Sequence, residues 1–384
     1  MLNFRIGLLA LLLLFGAAQA QAHMREIRLG THTDLSGPAA LYGVAVVNAM
    51  RLRLDAVNAA GGIQGRPVRL IVEDHGFQLA RAVQAVNKLI QRDRVMAIVG
   101  ALGVPMNNVA LPLQLKAGVP NLFPMAASRS MIEPHHALKF LSGSLYYDQI
   151  RSGLGWMLAE KGKRAICALY QDTDYGAEVL AAIQNTLAPQ GLALREAVPH
   201  KPGDTDLAAN VARLRHAGCD LVVLATLFRD TLLAMGAARR SGWQVDFLGP
   251  STVYDYMIEQ APGGVTDGLY AMASIALPYR DTAAPEVLAW MDAYKRAHGA
   301  EPNAGAVYGA AIIDLAVLAL DRAGANPTGL NVARAAEGIG GYRDIFGGTV
   351  QRFSAQNHQG TQQAYAYRLE AGRFRRLTEA LSYR

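Results

Sequence analysis

Three consecutive pieces of the chain decide its fold: Arg66-Pro67-Val68-Arg69-Leu70-Ile71-Val72-Glu73, the run from Gln78 to Arg92, and Val95-Met96-Ala97-Ile98-Val99-Gly100. Val68, Leu70 and Val72 share one face of a strand, and the middle piece is read as a helix. Val95 to Val99 is too apolar to face water and belongs in the centre of a sheet. Strand, helix and buried strand in succession indicate a parallel sheet of the α/β class.

The same alternation extends in both directions. Upstream, Ile27 to Thr33 reads as strand and Ala39 to Ala60 as helix, with Val44, Val47, Leu54 and Val57 near helical spacing and Gly61-Gly62 as its stop. Downstream, a loop after Gly100 leads to a helix from Asn107 to Ala117 and a strand from Asn121 to Pro124. The pattern then restarts: helix Ser152 to Glu160, strand Ala165 to Tyr170, helix Gly176 to Leu187, strand Leu192 to Ala197. Asp204 is the expected N-cap of a helix ending near Ala217, before the strand Leu221 to Ala225 and a further helix and strand ending at Gly249. The expected architecture is α/β, with two doubly wound parallel-sheet lobes. Open sheets of this kind take ligands beyond the carboxyl ends of their strands, so two of them face to face make a cleft.

The start of the chain carries Arg5, the apolar run Ile6 to Phe15 and the small-residue pattern Ala18-Gln19-Ala20, with Ala20-Gln21-Ala22 as an alternative cleavage point. Residues 1–22 are therefore expected to be a cleaved secretory signal and the mature protein to be periplasmic; no cysteine near the cleavage point suggests a lipid anchor. The roughly 360 residues that remain exceed what one hydrophobic core usually serves. An apolar fraction of 51% and a charged fraction of 18% describe a well-packed globular protein. The formal charge of +6 is scattered among acids, and Arg373-Phe374-Arg375-Arg376 sits where a strand after an Ala-Gly turn alternates its faces, so a solvated basic surface is expected and nucleic acid is not. Cys167 and Cys219 could pair in an oxidising compartment, but their expected depths along neighbouring strands differ, which favours two buried thiols.

Signatures of catalysis are absent from the sequence: no Gly-x-Ser-x-Gly elbow, no Walker loop and no Gly-x-Gly-x-x-Gly after a strand. Asp172-Thr173-Asp174 resembles the opening of a calcium loop, yet Ala177 and Ile183 occupy its required glycine and glutamate positions. His135-His136 has no partner pair at zinc-site spacing and reads as loop surface. No enzyme activity, metal or cofactor is expected.

Leu35-Ser36-Gly37-Pro38-Ala39-Ala40-Leu41-Tyr42-Gly43, followed by Asn58-Ala59-Ala60-Gly61-Gly62-Ile63-Gln64-Gly65-Arg66-Pro67-Val68, resembles the amino-terminal signature of the leucine/isoleucine/valine-binding proteins. These are the type I periplasmic binding proteins of branched-chain amino acid ABC transporters. The resemblance continues through Gly103 to Asn107, Asp174-Tyr175-Gly176, Phe247 to Pro250 and Tyr308-Gly309-Ala310, and so covers essentially the whole mature chain. It implies lobes discontinuous in sequence, 24–143 with 274–346 and 144–273 with 347–384, joined by a three-segment hinge.

It also implies site residues. Family members hold the ligand's carboxylate with backbone N–H groups and hydroxyls on two adjacent loops, which correspond here to Gly103 and Val104 and to Ala126 and Ser128. Val104 stands at a hydroxyl position and can offer only its backbone, whereas Ser128 retains a hydroxyl, with a turn cap as its alternative role. Tyr42 and Tyr175 match aromatic positions that enclose the ligand from opposite lobes, and Leu227 and Phe228 match another wall. Ser251 stands where amino-acid-binding members carry a glutamate for the ligand's ammonium. A buried ammonium without a counter-charge is costly, so the expected ligand is a carboxylate or amide with an apolar or aromatic body. Asp255 and Glu259 could substitute, but both are expected on the following helix. The expected role is that of a monomeric receptor delivering a small solute to an ABC permease and meeting the membrane only through it. The same fold could instead serve a sensor that signals to a membrane kinase or an operon regulator.

Overall fold

The computed structural model describes residues 26–383; the expected signal at residues 1–22 lies outside the described residues. The chain begins with β1 (Ile27–Thr33), α1 (Ala40–Ala59), β2 (Val68–Asp74), α2 (Leu79–Asn87), β3 (Ala97–Val99), α3 (Val104–Lys116), β4 (Asn121–Leu122) and β5 (Lys139–Phe140). All five strands are parallel, in the order β2-β1-β3-β4-β5, so the apolar β3 is central. The chain then builds a second sheet from α4 (Tyr146–Glu160), β6 (Ile166–Gln171), α5 (Asp174–Leu187), β7 (Glu196–His200), α6 (Ala208–His216), β8 (Leu221–Ala225), α7 (Phe228–Arg240), β9 (Asp246–Gly249), α8 (Tyr256–Glu259) and β10 (Tyr270–Ala273). Its parallel part, β7-β6-β8-β9-β10, repeats the strand order of the first sheet.

Next come α9 (Pro285–His298), α10 (Ala304–Arg322) and α11 (Gly329–Glu337). α10 is apolar enough for a membrane span by length and hydropathy, but it is mostly buried, and Ile312 to Leu320 share a core with Ile27, Leu29 and Val46 of the first sheet and α1. Finally β11 (Tyr365–Glu370) and β12 (Arg373–Arg376) add an antiparallel edge to the second sheet. The chain thus passes between the sheets after β5, after β10 and before β11, and the three passages touch. Gly143 N–H donates to Gln351 Oε1 at 3.0 Å, and Thr349 N–H donates to the Ser274 carbonyl at 2.8 Å.

Three local expectations need correction. The strand expected at Leu192 to Ala197 begins only at Glu196, because the chain leaves α5 through a left-handed Gly191 while Leu192 and Leu194 pack against the core as loop. Asp204 does not cap α6: its carboxylate accepts the Lys201 N–H at 2.8 Å and closes a turn, and the helix starts later, behind Leu207. Cys167 and Cys219 are not free thiols; they form a disulfide with Cα atoms 5.8 Å apart. The strand-depth argument assumed that Cys219 lies in line with β8. Instead Gly218, at φ 70°, turns the chain between α6 and β8, so Cys219 approaches Cys167 from outside the strand register.

Beneath the first sheet's ligand-facing end, His32 and His75 are fully buried with ring centroids 5.7 Å apart. His75 Nε2–H donates to the Leu102 carbonyl at 3.1 Å, and its Nδ1 accepts the Phe77 N–H at 3.0 Å, which together specify the neutral tautomer. Burial lowers the His75 pKa; burial, then the charge of His75, lowers that of His32 to about 3. A depressed histidine pKa gives stability that is full above the unfolded value and lost as pH falls from about 6.5 toward the folded value. Denaturant titrations are expected to show the wild type losing stability between pH 6.5 and 4, with His32→Asn cutting that loss by roughly 2–3 kcal/mol. An unchanged pH slope in the variant would mean that His32 is not the source.

Candidate ligand-binding site

Strand order reverses between β1 and β3 in one sheet and between β6 and β8 in the other, and loops diverge at such switch points. The loops beyond all four strands line one cleft, with a cavity of about 100 Å³. A single water needs about 10–15 Å³ of such space, so the cavity has room for a small solute.

Two dipeptides set its opposite walls. Tyr42 stands in the first turn of α1 and Tyr175 in that of α5, and each is followed by glycine. A Cβ on Gly43 would lie 2.1 Å from the Asp34 carbonyl oxygen, and one on Gly176 would lie 1.9 Å from that of Gln171. Each helix therefore presses directly on the end of the preceding strand, and only the absence of a side chain permits it. Tyr308-Gly309 on α10 repeats the device against the Val46 carbonyl, and Tyr308 also lines the cleft.

Of the residues singled out in the sequence, Tyr42, Gly103, Val104, Ala126, Tyr175, Leu227, Phe228 and Ser251 line this cavity. Ser128 is not among the lining residues: it is buried at the start of a short 3-10 turn, where its hydroxyl meets that of Ser130 at 3.2 Å. α3 starts at Val104, so the N–H groups of Val104 and Met106 in its first turn have no intrahelical acceptor. The sequence reading assigned no site role to Phe77, Tyr146, Gln149, Ser144 or Tyr308, which line the cavity from elsewhere in the chain. Tyr308 enters it only within the Tyr308-Gly309-Ala310 piece of the resemblance, and the recurrence of Tyr-Gly at 42, 175 and 308 could have marked it as a wall residue.

Several polar groups of the cleft are already paired. Tyr175 Oη pairs with Thr252 Oγ1 at 2.7 Å and donates to the Thr226 carbonyl at 3.3 Å, while Gln149 Oε1 accepts the Ser251 N–H at 2.8 Å. The Tyr308 and Ser144 hydroxyls, by contrast, are buried without a partner. Among the described residues lining the cavity, none carries a charge. Asp255 caps α8 by accepting the Met257 N–H at 2.8 Å, and burial pushes its carboxyl up to about 7. Glu259 accepts the Phe374 N–H at 2.8 Å and the Tyr279 hydroxyl. Neither acid replaces the missing glutamate at the cavity surface.

At the rim the two sheets' helices meet. Asn108 of α3 donates to Asp174 of α5 at 2.6 Å, and the Arg129 N–H donates to Glu178 Oε1 at 3.0 Å while its guanidinium lies over the Tyr147 ring.

Residues 26–373 match the periplasmic binding protein family. The chain belongs to that family. It is a family of binding proteins, not of enzymes, and its type I fold of two parallel-dominated sheets agrees with the sequence reading. This periplasmic binding protein is 24% identical to the leucine-, isoleucine-, valine-, threonine- and alanine-binding protein of Pseudomonas aeruginosa over 75% of its own length and 76% of the relative's. The resemblance to leucine/isoleucine/valine-binding proteins is thereby upheld. In fold it is similar to a fatty acid ABC transporter substrate-binding protein from Thermomonospora curvata, with a TM-score of 0.83 at 22% identity, covering 94% and 93% of the two chains. An R. palustris ABC transporter solute-binding protein in complex with benzoate superposes with a TM-score of 0.80 at 17% identity, covering 93% and 96%.

Proposed function

We propose that this protein captures a small carboxylate with an apolar or aromatic body in the periplasm and presents it, between closed lobes, to an ABC permease. The observation that carries the ligand class is the uncharged cleft. A carboxylate can be held by N–H groups at the start of α3, where the helix dipole also favours negative charge. An α-amino acid would bring an ammonium into a cavity whose described lining offers no acid, at a cost that hydroxyls alone do not offset. The cavity volume favours a small solute over a long acyl chain. Benzoate in the R. palustris protein is a solute of this kind.

The topology supports the following working cycle. Lobes made of residues 24–143 with 274–346, and of 144–273 with 347–384, turn about the three passages and close on the solute. The Asn108–Asp174 and Arg129–Glu178 contacts form as they do so, and the permease reads the closed shape. Tyr42 and Tyr175 move together across the bound body. A ligand drives closure only by its greater affinity for the closed form, so these rim contacts contribute to affinity without touching it.

Mass spectrometry of the solute released when the purified protein is denatured tests the reading. The expected compound is an acid of this size without a basic amine; recovery of leucine or another α-amino acid would contradict it.

A further inference from the structure

Two polar atoms in the cleft have no use in the account so far. Tyr308 Oη and Ser144 Oγ are both buried, both belong to lining residues, and neither has a hydrogen-bond partner of ordinary geometry among the described residues. Ser144 is 1% exposed, on the first passage between the sheets, and its N–H is already given to Ser274 Oγ at 3.4 Å. Tyr308 comes from α10, nearly 170 residues later in the chain, held against α1 by the close approach of Gly309 to Val46. Burial raises the Tyr308 pKa, and the Ser251 side chain lies close enough to interact weakly and oppose that larger effect, but the two do not meet ordinary hydrogen-bond geometry. Two other polar side chains of the lining are already committed: the Tyr175 hydroxyl to Thr252 and Thr226, and the Gln149 carbonyl oxygen to Ser251.

Leaving a buried hydroxyl unsatisfied costs about 1–3 kcal/mol, so a pair of them in one small cavity calls for a partner that the protein does not supply. Phenylalanine and alanine would have lined the same space without that cost.

We infer that Tyr308 and Ser144 read a hydroxyl on the solute, so that the preferred ligand is a small apolar or aromatic hydroxy-carboxylate. A hydroxyl can accept from one of the two groups and donate to the other, which suits a pair in which each can play either role. An ammonium would satisfy the same two atoms as acceptors but would remain an unpaired charge. The inference rests on the carboxylate reading proposed above and adds the second polar feature of the ligand.

Calorimetric titration with benzoate, 3-hydroxybenzoate and 4-hydroxybenzoate tests it on the wild-type protein and on Tyr308→Phe and Ser144→Ala, with thermal unfolding as the check that each variant is folded. The wild type is expected to bind at least one hydroxy acid about tenfold or more tighter than benzoate, because a site built to hydrogen-bond a hydroxyl rejects the analogue without one. Each variant is expected to reduce that ratio to below about threefold, the loss of one hydrogen bond. A ratio near one in the wild type overturns the inference and leaves the carboxylate reading standing. So does a ratio that survives in both variants, which is what a purely structural role would give. If none of the three acids binds while leucine does, the carboxylate reading itself fails and the inference falls with it.

Discussion

Gly176→Ala is expected to destabilise the protein by about 3 kcal/mol, the upper end of the range for overpacking, and to remove high-affinity solute binding. The added methyl carbon would sit 1.9 Å from the Gln171 carbonyl oxygen, which is backbone and cannot rotate away. α5 must then slide off the end of β6, carrying Tyr175 from its partners Thr252 and Thr226 and out of the wall it forms. Gly43→Ala repeats the experiment in the other half, where the contact is 2.1 Å to the Asp34 carbonyl and the displaced ring is that of Tyr42. Gly340→Ala is the control, since a Cβ there meets nothing within 4 Å. Denaturant unfolding and calorimetry together decide the matter: a Gly176→Ala protein as stable as the Gly340 control, with wild-type affinity, would mean that the close packing does not position the tyrosine.

Loss of the Cys167–Cys219 disulfide is expected to cost about 4 kcal/mol, because it closes a loop with a sequence separation of 52 in the unfolded chain. The effect belongs to the second sheet, where both cysteines sit in one core with Leu169, Val222 and Phe247. Urea unfolding of Cys167→Ala/Cys219→Ala against wild type under oxidising conditions measures it, and reduction of the wild type before unfolding should reproduce most of the difference. A change below about 1 kcal/mol would show that the bridge adds little beyond its packing.

The sheets were legible because their strands are apolar, short and separated by helices of ordinary length. The repeat of strand order in the second half follows from the same alternation, and β12 from the polar-apolar pattern of Arg373 to Arg376. Tyr42, Val104 and Tyr175, named through the resemblance, all line the cavity, each on the first turn of the helix that follows a strand. What the sequence concealed were groups brought in from a distance. Tyr308 reaches the cleft through helix-on-helix packing, marked only by its Tyr-Gly dipeptide, and Ser144 through a passage between sheets with nothing local to announce it. Ser128 lies off the cavity surface: its loop approaches the cleft through Ala126 and Ala127, but the chain turns and the hydroxyl meets that of Ser130. Cys219 and Asp204 were misjudged for one shared reason, in that a short turn redirected a side chain that straight-element geometry would have pointed elsewhere.

The absence of a counter-charge in the cleft is tested most directly by a matched pair of ligands. L-Leucine and 4-methylpentanoate share a carbon skeleton and a carboxylate and differ only in the ammonium. Calorimetric titration of the solute-free protein is predicted to give the tighter binding to 4-methylpentanoate, by about tenfold or more, since no acid among the described lining residues can pair the extra charge. Tighter binding of leucine would contradict the account.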